Sequence, residues 1–250
     1  MSSSSKGLQI LKPKIHSSVD AWFTLKNEDI NKKDGIQGLN LGNNTSQPAE
    51  EIEQNRKKLF NELNINPAWF ADANQVHGTK VQTINQGGTY SETDGLITQI
   101  PGLALAIQVA DCAAVLMADP SQSIIAAVHA GWRGAVGGIL EKAISQMESL
   151  AASPSNIQAF ISPCISLAQF EVGNEVAELF PDEYVDYESY KKPHIDLKGF
   201  IKSRLNQSGL TDDHIKIHEG CTVTDEENFY SYRREGEGSG RMMGIIKIKR

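Results

Sequence analysis

The stretch of sequence that decides the fold is residues 103–130, LALAIQVADCAAVLMADPSQSIIAAVHA. Two apolar runs, 103–117 and 123–129, flank the tetrapeptide Asp119-Pro120-Ser121-Gln122. Asp, Pro and Ser favour tight turns, and apolar runs on both sides of such a turn are typical of an antiparallel β-hairpin. The stretch therefore predicts two paired strands.

The position of the turn also predicts which residues of the hairpin face each other. A turn centred between Pro120 and Ser121 places Cys112 directly opposite His129. Residues in direct opposition point to the same face of a sheet with Cβ atoms about 4.5–5.5 Å apart, so the thiol and the imidazole would reach one ion or each other. Asp111 is expected on the opposite face if the strand is regular. A bulge at Pro120 or Asp111 would change this register.

Periodic patterns outside the hairpin predict an α/β protein. Apolar residues at helical spacing indicate helices, which we place at 49–65, 135–150, 174–180 and 196–210. Short apolar or alternating runs indicate further strands, which we place at 80–84, 95–98, 157–161 and 215–218. No repeat or linker divides the chain, so we expect a single α/β domain spanning 1–250, with mixed β-sheets, helices layered against them and disorder at residues 1–10.

Composition and charge exclude several classes of function. The chain is 40% hydrophobic and 22% charged, which is typical of a soluble globular protein. Its net charge of -7 repels a polyanion, so no nucleic-acid partner is expected. We find neither a secretory signal nor an apolar run of about 20 residues that would span a membrane. An odd number of cysteines without a C-x-x-C pair favours reduced thiols and a cytoplasmic location.

His77 is the third residue that could join Cys112 and His129. It lies in the polar, glycine-terminated segment 74–78, NQVHG. A thiolate and two imidazoles are common ligands of zinc, and copper is also possible. Three protein ligands leave one position open, as in catalytic zinc sites, where the ion activates water or polarises a substrate. The alternative is that His77 is an ordinary loop histidine and Cys112 a small buried apolar residue.

Three arginines are candidates for binding an anionic substrate such as phosphate. Arg133 lies where a strand leads into a predicted helix, and backbone N–H groups at a helix start attract anions. Arg233 precedes the glycine-rich segment 235–240, which could fold over a phosphate or ribose. Arg56 lies at the edge of the apolar face of the first predicted helix. For Arg133 and Arg56, a surface ion pair with a neighbouring acid is the alternative interpretation.

Short motifs along the chain resemble those of the YfiH-like, laccase-domain family, in the same order. They are 74–78 (NQVHG), 93–95 (TDG), 110–112 (ADC), 127–134 (AVHAGWRG), 163–164 (PC) and 229–234 (FYSYRR). The resemblance covers roughly residues 37–245. Two positions depart from the family pattern. Ser162 stands where the family usually has glycine, and the segment 235–240, the candidate substrate loop, is longer than usual. The resemblance therefore supports the assignment of this loop less than that of the other motifs.

The resemblance implies a fold, a metal site and an activity. The fold would be an α/β/β/α sandwich, and His77, Cys112 and His129 would be the metal ligands. Arg56 falls in an Asn-Arg pair similar to one in the family. The implied activity is the phosphorolysis of purine nucleosides such as adenosine, inosine and methylthioadenosine, together with hydrolytic deamination of adenosine. A purine nucleoside and phosphate would be the small-molecule partners.

Other functions stay open beside this interpretation. Cys112 activated by His129 would make a metal-free Cys-His hydrolase. The resemblance also implies a possible editing role in peptidoglycan-precursor synthesis, of which the residues give no independent sign. The family's older label, polyphenol oxidase, is disfavoured because a laccase needs a separate histidine-rich cluster. The remaining histidines are scattered without an H-x-H pair, at positions 16, 194, 214 and 218.

Overall fold

A computed structural model describes residues 7–30 and 35–250, and its strands form two six-stranded sheets and a two-stranded ribbon. The strands are β1 Ile10–Leu11, β2 Val19–Thr24, β3 Phe70–Asn74, β4 Val81–Thr83, β5 Gly88–Ser91, β6 Gly95–Thr98, β7 Ala104–Val109, β8 Ala113–Asp119, β9 Ile124–Ala130, β10 Gln158–Ile161, β11 Val185–Asp186, β12 His194–Ile195, β13 Ile215–Ile217 and β14 Met242–Ile248. The helices are α1 Ala49–Leu63, α2 Trp132–Val136, α3 Ile139–Ser149, α4 Asn174–Ala177, α5 Leu197–Gln207 and α6 Tyr232–Glu235.

Both large sheets are mixed, as expected from the sequence. The first has the strand order β1-β2-β14-β7-β3-β5, in which β3 runs parallel to β5 and β7. The second has the order β13-β10-β8-β9-β6-β4, in which β10 is parallel to β13 and β4 to β6. All other pairs within these two sheets are antiparallel.

The central strands are apolar on both faces because each face packs against another layer. Leu105 and Ile107 of β7 pack between the two sheets, whereas Ala104 and Ala106 face α1. On the second sheet Val115 packs in the core that includes α3 and α5. Strands buried on both sides read as continuous apolar runs rather than alternating ones. The order of layers is therefore helix, sheet, sheet, helix, as the family resemblance implies.

The segment 103–117, predicted as one strand, is in fact two strands of different sheets. β7 belongs to the first sheet and β8 to the second, and the chain crosses between them at residues 110–112. Asp111 has a left-handed backbone, with φ 82°. A non-glycine residue in that conformation interrupts a strand. The predicted hairpin is confirmed only for β8 and β9.

The predicted register of this hairpin is wrong by two residues. Ala114, not Cys112, lies opposite His129. The reason is the turn, which is centred one residue later than predicted. Asp119 accepts hydrogen bonds from the backbone N–H groups of Ser121 and Gln122, at 2.9 and 3.3 Å. These bonds to its side chain hold Asp119 as the residue before the turn.

The helix predicted at 135–150 is also interrupted. It begins earlier, as α2, and breaks at Gly137 and Gly138 before α3. Gly138 has φ 84°, which few other residues adopt. A Cβ at Gly137 would lie 2.7 Å from a methyl group of Thr79, so the break brings α2 close to the segment after His77. The helix predicted at 174–180 is the shorter α4.

Most other predicted elements are confirmed within a few residues at their ends. The predicted helices 49–65 and 196–210 are α1 and α5, and the predicted strands 80–84, 95–98, 157–161 and 215–218 are β4, β6, β10 and β13. The sequence analysis missed β1, β2, β3, β5, β11, β12 and β14 and the short helix α6. Of the segment predicted to be disordered, residues 1–6 lie outside the described residues and Ile10 begins β1. No helix within the described ranges has the length and apolar character needed to cross a membrane.

We predict that Gly244→Ala destabilises the fold by about 1–3 kcal/mol, the usual cost of overpacking. A Cβ at Gly244 in β14 would lie 2.6 Å from the Cβ of Ala114 in β8, and neither backbone has room to move between two buried sheets. Urea unfolding measures the change. Gly238→Ala is the control, because a Cβ there meets nothing within 4 Å. Equal stability of the two variants would contradict this account of the inter-sheet core.

Candidate metal centre and its cavity

His77, Cys112 and His129 converge although they come from three separate places in the fold. His77 follows β3 and is exposed, with φ 58°. Cys112 is half-buried where the chain crosses between the sheets, and His129 is buried on β9. One nitrogen of each histidine and the cysteine sulfur all lie within 4.8 Å of one another.

The donor set and the space around it fit a metal ion. Zinc bonds of about 2.0–2.3 Å place neighbouring tetrahedral ligands about 3.5 Å apart, so a small movement would bring the three atoms onto one ion. Gly131 leaves room for the thiol, because a Cβ at that position would lie 2.7 Å from Cys112 Sγ. Among the described residues this is the single cluster of three or more His, Cys, Asp or Glu with such geometry.

Asp94 holds two of the three side chains in place. Its carboxylate is fully buried and accepts a hydrogen bond of 2.8 Å from His129 Nδ1. It also accepts bonds from the backbone N–H groups of Val76, His77 and Gly78, at 3.3, 2.9 and 2.8 Å. His129 thereby presents Nε2 to an ion, because its Nδ1 is already bonded. One carboxylate thus fixes both the loop of His77 and the ring of His129.

The charges of the cluster shift the pKa values of its members. Burial raises the pKa of Cys112, but the charge of His129 and hydrogen bonds from His129 and His77 outweigh this and lower the pKa to about 6. Burial lowers the pKa of His129, but the Cys112 thiolate and the bond to Asp94 raise it to about 9. Burial raises the pKa of Asp94, and hydrogen bonds from His129, Gly78 and Val76 bring it below its ordinary value. Without an ion, Cys112 is therefore a thiolate paired with a protonated His129 at neutral pH, and an ion that binds both would displace the proton from His129 Nε2.

The triad opens into a cavity of about 860 Å³. This volume lies in the range of small-molecule sites. One part of the wall is cationic and consists of Arg133, Arg233 and Arg241. Another part carries the amides of Asn43, Asn44, Asn74, Gln75 and Gln108. The cavity therefore offers groups that suit an anion and groups that suit an uncharged polar ligand.

Arg133 and Arg233, two of the predicted anion-binding residues, line this cavity. The guanidinium of Arg133 lies 4.3 Å from the centre of the Trp132 ring. Arg233 donates through both terminal nitrogens to the carbonyl of Glu171, each at 3.0 Å. Because α2 has only five residues, its N-terminus contributes little to an anion site, and the Arg133 side chain would have to carry it.

Arg56, the third predicted arginine, lies outside the set of residues that line the cavity. Its guanidinium pairs with the buried Asp72 at 2.8 Å and donates to the carbonyl of Leu41 at 3.1 and 3.2 Å. Asp72 in turn accepts a bond of 2.7 Å from Thr89, which does line the cavity. A role for Arg56 in substrate binding stays a prediction, and these contacts favour a structural role.

The sequence analysis assigned the carboxylate of Asp111 to the wrong face and did not identify that of Asp94. Asp111 was expected to point away from Cys112, but it lines the same cavity because its left-handed backbone breaks the strand. It accepts bonds of 2.6 Å from the Thr222 hydroxyl and from the backbone N–H of Arg233. Asp94 gave no signal beyond the motif TDG, because its partners lie 16 to 35 positions away.

Comparisons with known proteins find close relatives over most of the chain. A family model described as multi-copper polyphenol oxidoreductase laccase matches residues 20–249. A Deinococcus radiodurans protein named purine nucleoside phosphorylase is 38% identical over 217 residues, which are 85% of this chain and 83% of the relative. Escherichia coli purine nucleoside phosphorylase YfiH is 35% identical over 83% of this chain and 85% of its own.

Solved structures share the fold. The crystal structure of YlmD from Geobacillus stearothermophilus superimposes with a TM-score of 0.91 at 26% sequence identity, over 100% of this chain and 98% of that chain. The four-layer arrangement is therefore that of YfiH-like proteins.

We predict that Asp94→Asn weakens zinc binding about 10- to 100-fold, the usual cost of losing a carboxylate behind a ligating histidine. Asparagine keeps the shape of the side chain but turns one acceptor into a donor, so two of the four hydrogen bonds are lost, because each carboxylate oxygen accepts two. Competition with a chromophoric chelator measures the affinity, and circular dichroism checks the fold. The control, Asp182→Asn, changes an exposed carboxylate outside the cavity. Unchanged affinity in Asp94→Asn would contradict the role given to this residue.

Proposed function

Because the chain belongs to the family described as multi-copper polyphenol oxidoreductase laccase, with YfiH-like proteins as relatives, we propose that it is a metal-dependent purine nucleoside phosphorylase. Relatives with this activity in their names support the proposal. The observation that carries it is the three-ligand cluster opening into a cavity with a cationic wall. The substrates would be phosphate with adenosine, inosine or methylthioadenosine. A cytoplasmic location stays a prediction.

His77, Cys112 and His129 would hold the ion, with zinc favoured and copper possible. The sulfur and two nitrogens suit either metal. When bound, the ion would supply a positive charge that polarises a substrate oxygen and a position open to that oxygen. Asp94 would keep His129 in the tautomer that ligates through Nε2. The thiolate of Cys112 needs no further base at neutral pH, because its pKa is about 6.

The arginines would bind and orient phosphate. In phosphorolysis a phosphate oxygen forms a bond to C1′ of the ribose while the bond from C1′ to the purine nitrogen breaks. The electron pair of that bond goes to the purine, which takes up a proton. Arg133 has no salt-bridge partner among the described residues, so its planar guanidinium can bind phosphate in a bidentate manner. Fixing phosphate against the ribose makes the reaction effectively intramolecular.

Deamination of adenosine is a second proposed activity of the same site. It replaces the amino group at C6 by an oxygen from water and releases ammonia. A cluster with three protein ligands favours it, because the open fourth position suits activation of water. The base would then have to approach the triad more closely than in phosphorolysis. The two reactions therefore need different placements of the nucleoside in one cavity.

The two competing enzyme interpretations differ in their support. A Cys-His hydrolase is compatible with the low pKa of Cys112 and its proximity to His129. Polyphenol oxidation needs several copper ions, and in the described part of the chain only the one triad offers a ligand set. The experiment that separates the remaining possibilities is metal analysis coupled to a nucleoside assay.

We predict that alanine at His77, Cys112 or His129 removes both bound metal and adenosine phosphorolysis and leaves the fold intact. Each side chain supplies one of three ligands, whereas the core is formed by other residues. Zinc and copper stoichiometry is measured beside phosphate-dependent release of adenine. His194→Ala is the control, since this histidine lies outside the cavity.

A Cys-His hydrolase would give a different pattern. Cys112→Ser would abolish activity without changing metal content, His77→Ala would stay active, and thiol alkylation would inactivate metal-free protein. Full activity of rigorously metal-free wild type, or of His77→Ala, would overturn the metal-dependent mechanism.

We predict that Arg133→Ala raises the KM for phosphate about 10- to 100-fold and leaves metal content unchanged. A charge-assisted hydrogen bond contributes about 1.5–3 kcal/mol, which corresponds to this range. Arg133→Lys keeps the charge but not the planar guanidinium, so its KM for phosphate should lie between those of wild type and Arg133→Ala. Initial rates at varied phosphate measure the effect. An unchanged phosphate KM in Arg133→Ala would remove this residue from the anion site.

A further inference from the structure

The amide side chains on one wall of the cavity differ in how fully they are hydrogen-bonded. Gln75 donates through Nε2 to the carbonyl of Gln108 at 2.7 Å and accepts from the N–H of Gln108 at 2.8 Å. Gln108 accepts from the N–H of Asn43 at 3.3 Å and donates to Asp72 at 3.5 Å. Both glutamine side chains therefore use a donor and an acceptor inside the protein, and their role is to hold this wall together.

Asn44 and Asn74 keep one polar atom each for a ligand. Asn44 Nδ2 donates to Asn74 Oδ1 at 3.0 Å, which joins the loop after Gly42 to the end of β3. Within the described residues no hydrogen bond is made by the other two amide atoms, Asn44 Oδ1 and Asn74 Nδ2. Both side chains are exposed and line the cavity of the triad. The bonded pair thus offers the cavity one acceptor and one donor.

We propose that Asn44 and Asn74 form the subsite that reads the six-position edge of the purine base, a proposal that rests on the proposed nucleoside phosphorolysis. An acceptor beside a donor is what the edge of a purine needs. Adenine offers its amino group as a donor and a ring nitrogen as an acceptor. Hypoxanthine offers a ring N–H as a donor and its carbonyl as an acceptor. Amide side chains recognise purines through such paired bonds.

The mixed pair also explains how one site would accept both bases. For hypoxanthine, with its six-position at Asn74, the ring N–H donates to Asn44 Oδ1 and Asn74 Nδ2 donates to the carbonyl. Adenine presents its donor and acceptor in the reverse order, so in the same orientation it needs both amides turned over, with Asn74 Nδ2 donating to Asn44 Oδ1. The adenine amino group then donates to Asn74 Oδ1, and Asn44 Nδ2 donates to the ring nitrogen. Both bases pair with the two free amide atoms. The subsite therefore lacks the unpaired polar group that makes an enzyme reject one base strongly.

The position of the pair in the fold suits this role. Asn74 precedes His77 by three residues on the same segment, and Asp94 holds the far end of that segment through the N–H of His77. Arg241 packs against Gly42, two residues before Asn44, whereas Arg133 and Arg233 come from α2 and α6. With the base at Asn44 and Asn74, we expect phosphate at Arg133 or Arg233.

The test is Asn74→Asp, which replaces the free donor by an acceptor of the same size. The bond from Asn44 Nδ2 is retained. The adenine amino group then donates to the new carboxylate, and the second hydrogen of Asn44 Nδ2 reaches the ring nitrogen. The carbonyl of hypoxanthine instead faces the carboxylate and loses its donor. We expect the ratio of kcat/KM for adenosine to that for inosine to rise at least about tenfold, the effect of one lost hydrogen bond.

Three controls accompany this variant. Asn74→Leu removes donor and acceptor together and should lower kcat/KM for both nucleosides without changing their ratio. Asn156→Asp adds the same charge at an exposed asparagine outside the cavity and should change nothing. Metal content and the KM for phosphate should stay at the wild-type values in all variants.

The outcomes separate this proposal from the proposed function. An unchanged adenosine-to-inosine ratio in Asn74→Asp, with active wild type, overturns the subsite alone. Wild type without phosphorolysis contradicts the proposed function. The subsite is then tested by calorimetry, through the ratio of the affinities for adenosine and inosine in wild type and in Asn74→Asp. Wild type that binds neither nucleoside overturns both.

Discussion

The buried carboxylate of Asp94 is the constraint on which the site depends. An unpaired charge in this position would be very costly, and four hydrogen bonds compensate for it. Three of its four donors are backbone N–H groups of one tight turn, which explains why His77 keeps a left-handed backbone that costs free energy elsewhere. The fourth donor is the ring of His129. Folding therefore orients two of the three candidate ligands through one group.

The third candidate ligand, Cys112, depends on a different feature, the crossing of the chain between the two sheets. A regular strand through Cys112 would have turned either its thiol or its neighbour's carboxylate away from the cavity. The left-handed backbone of Asp111 ends β7 and starts β8 in the other sheet. Its carboxylate then binds Thr222 and the N–H of Arg233, so the same crossing that presents the thiol also positions part of the arginine wall.

The sequence was sufficient for the longer helices, for half of the strands and for which three residues cluster, but not for how they come together. Helices α1 and α5 follow from their apolar spacing, and the β8–β9 hairpin from its turn residues. The argument that paired Cys112 with His129 reached the right residues by a wrong route, because the turn is one residue later and Cys112 lies outside the strand. The sequence of residues 103–117 did not reveal the crossing between the sheets. Strands buried on both faces give an unbroken apolar run, whether or not β7 and β8 belong to one sheet.

Long-range polar contacts were beyond sequence reasoning for a related physical reason. A carboxylate on a short motif has many possible partners, and only the packed fold selects among them. Arg56 and Asp72 lie 16 positions apart in the chain, and pairing draws the guanidinium away from the cavity. Arg133, by contrast, lies against Trp132 and keeps its donors for a ligand. Sequence type alone could not distinguish these two arginines.

The distribution of charge is compatible with the proposed binding of phosphate by an acidic protein. The chain has a net charge of -7, which would repel phosphate from the surface as a whole. Within the cavity, however, three arginines outnumber the carboxylates of Asp111 and Glu237. Both carboxylates are already engaged, by Thr222 and the N–H of Arg233 in one case and by the Tyr232 hydroxyl in the other. Under the proposed function, the distant surface would oppose the short-range attraction of the arginines only weakly, because charges beyond about 10 Å contribute little at physiological salt.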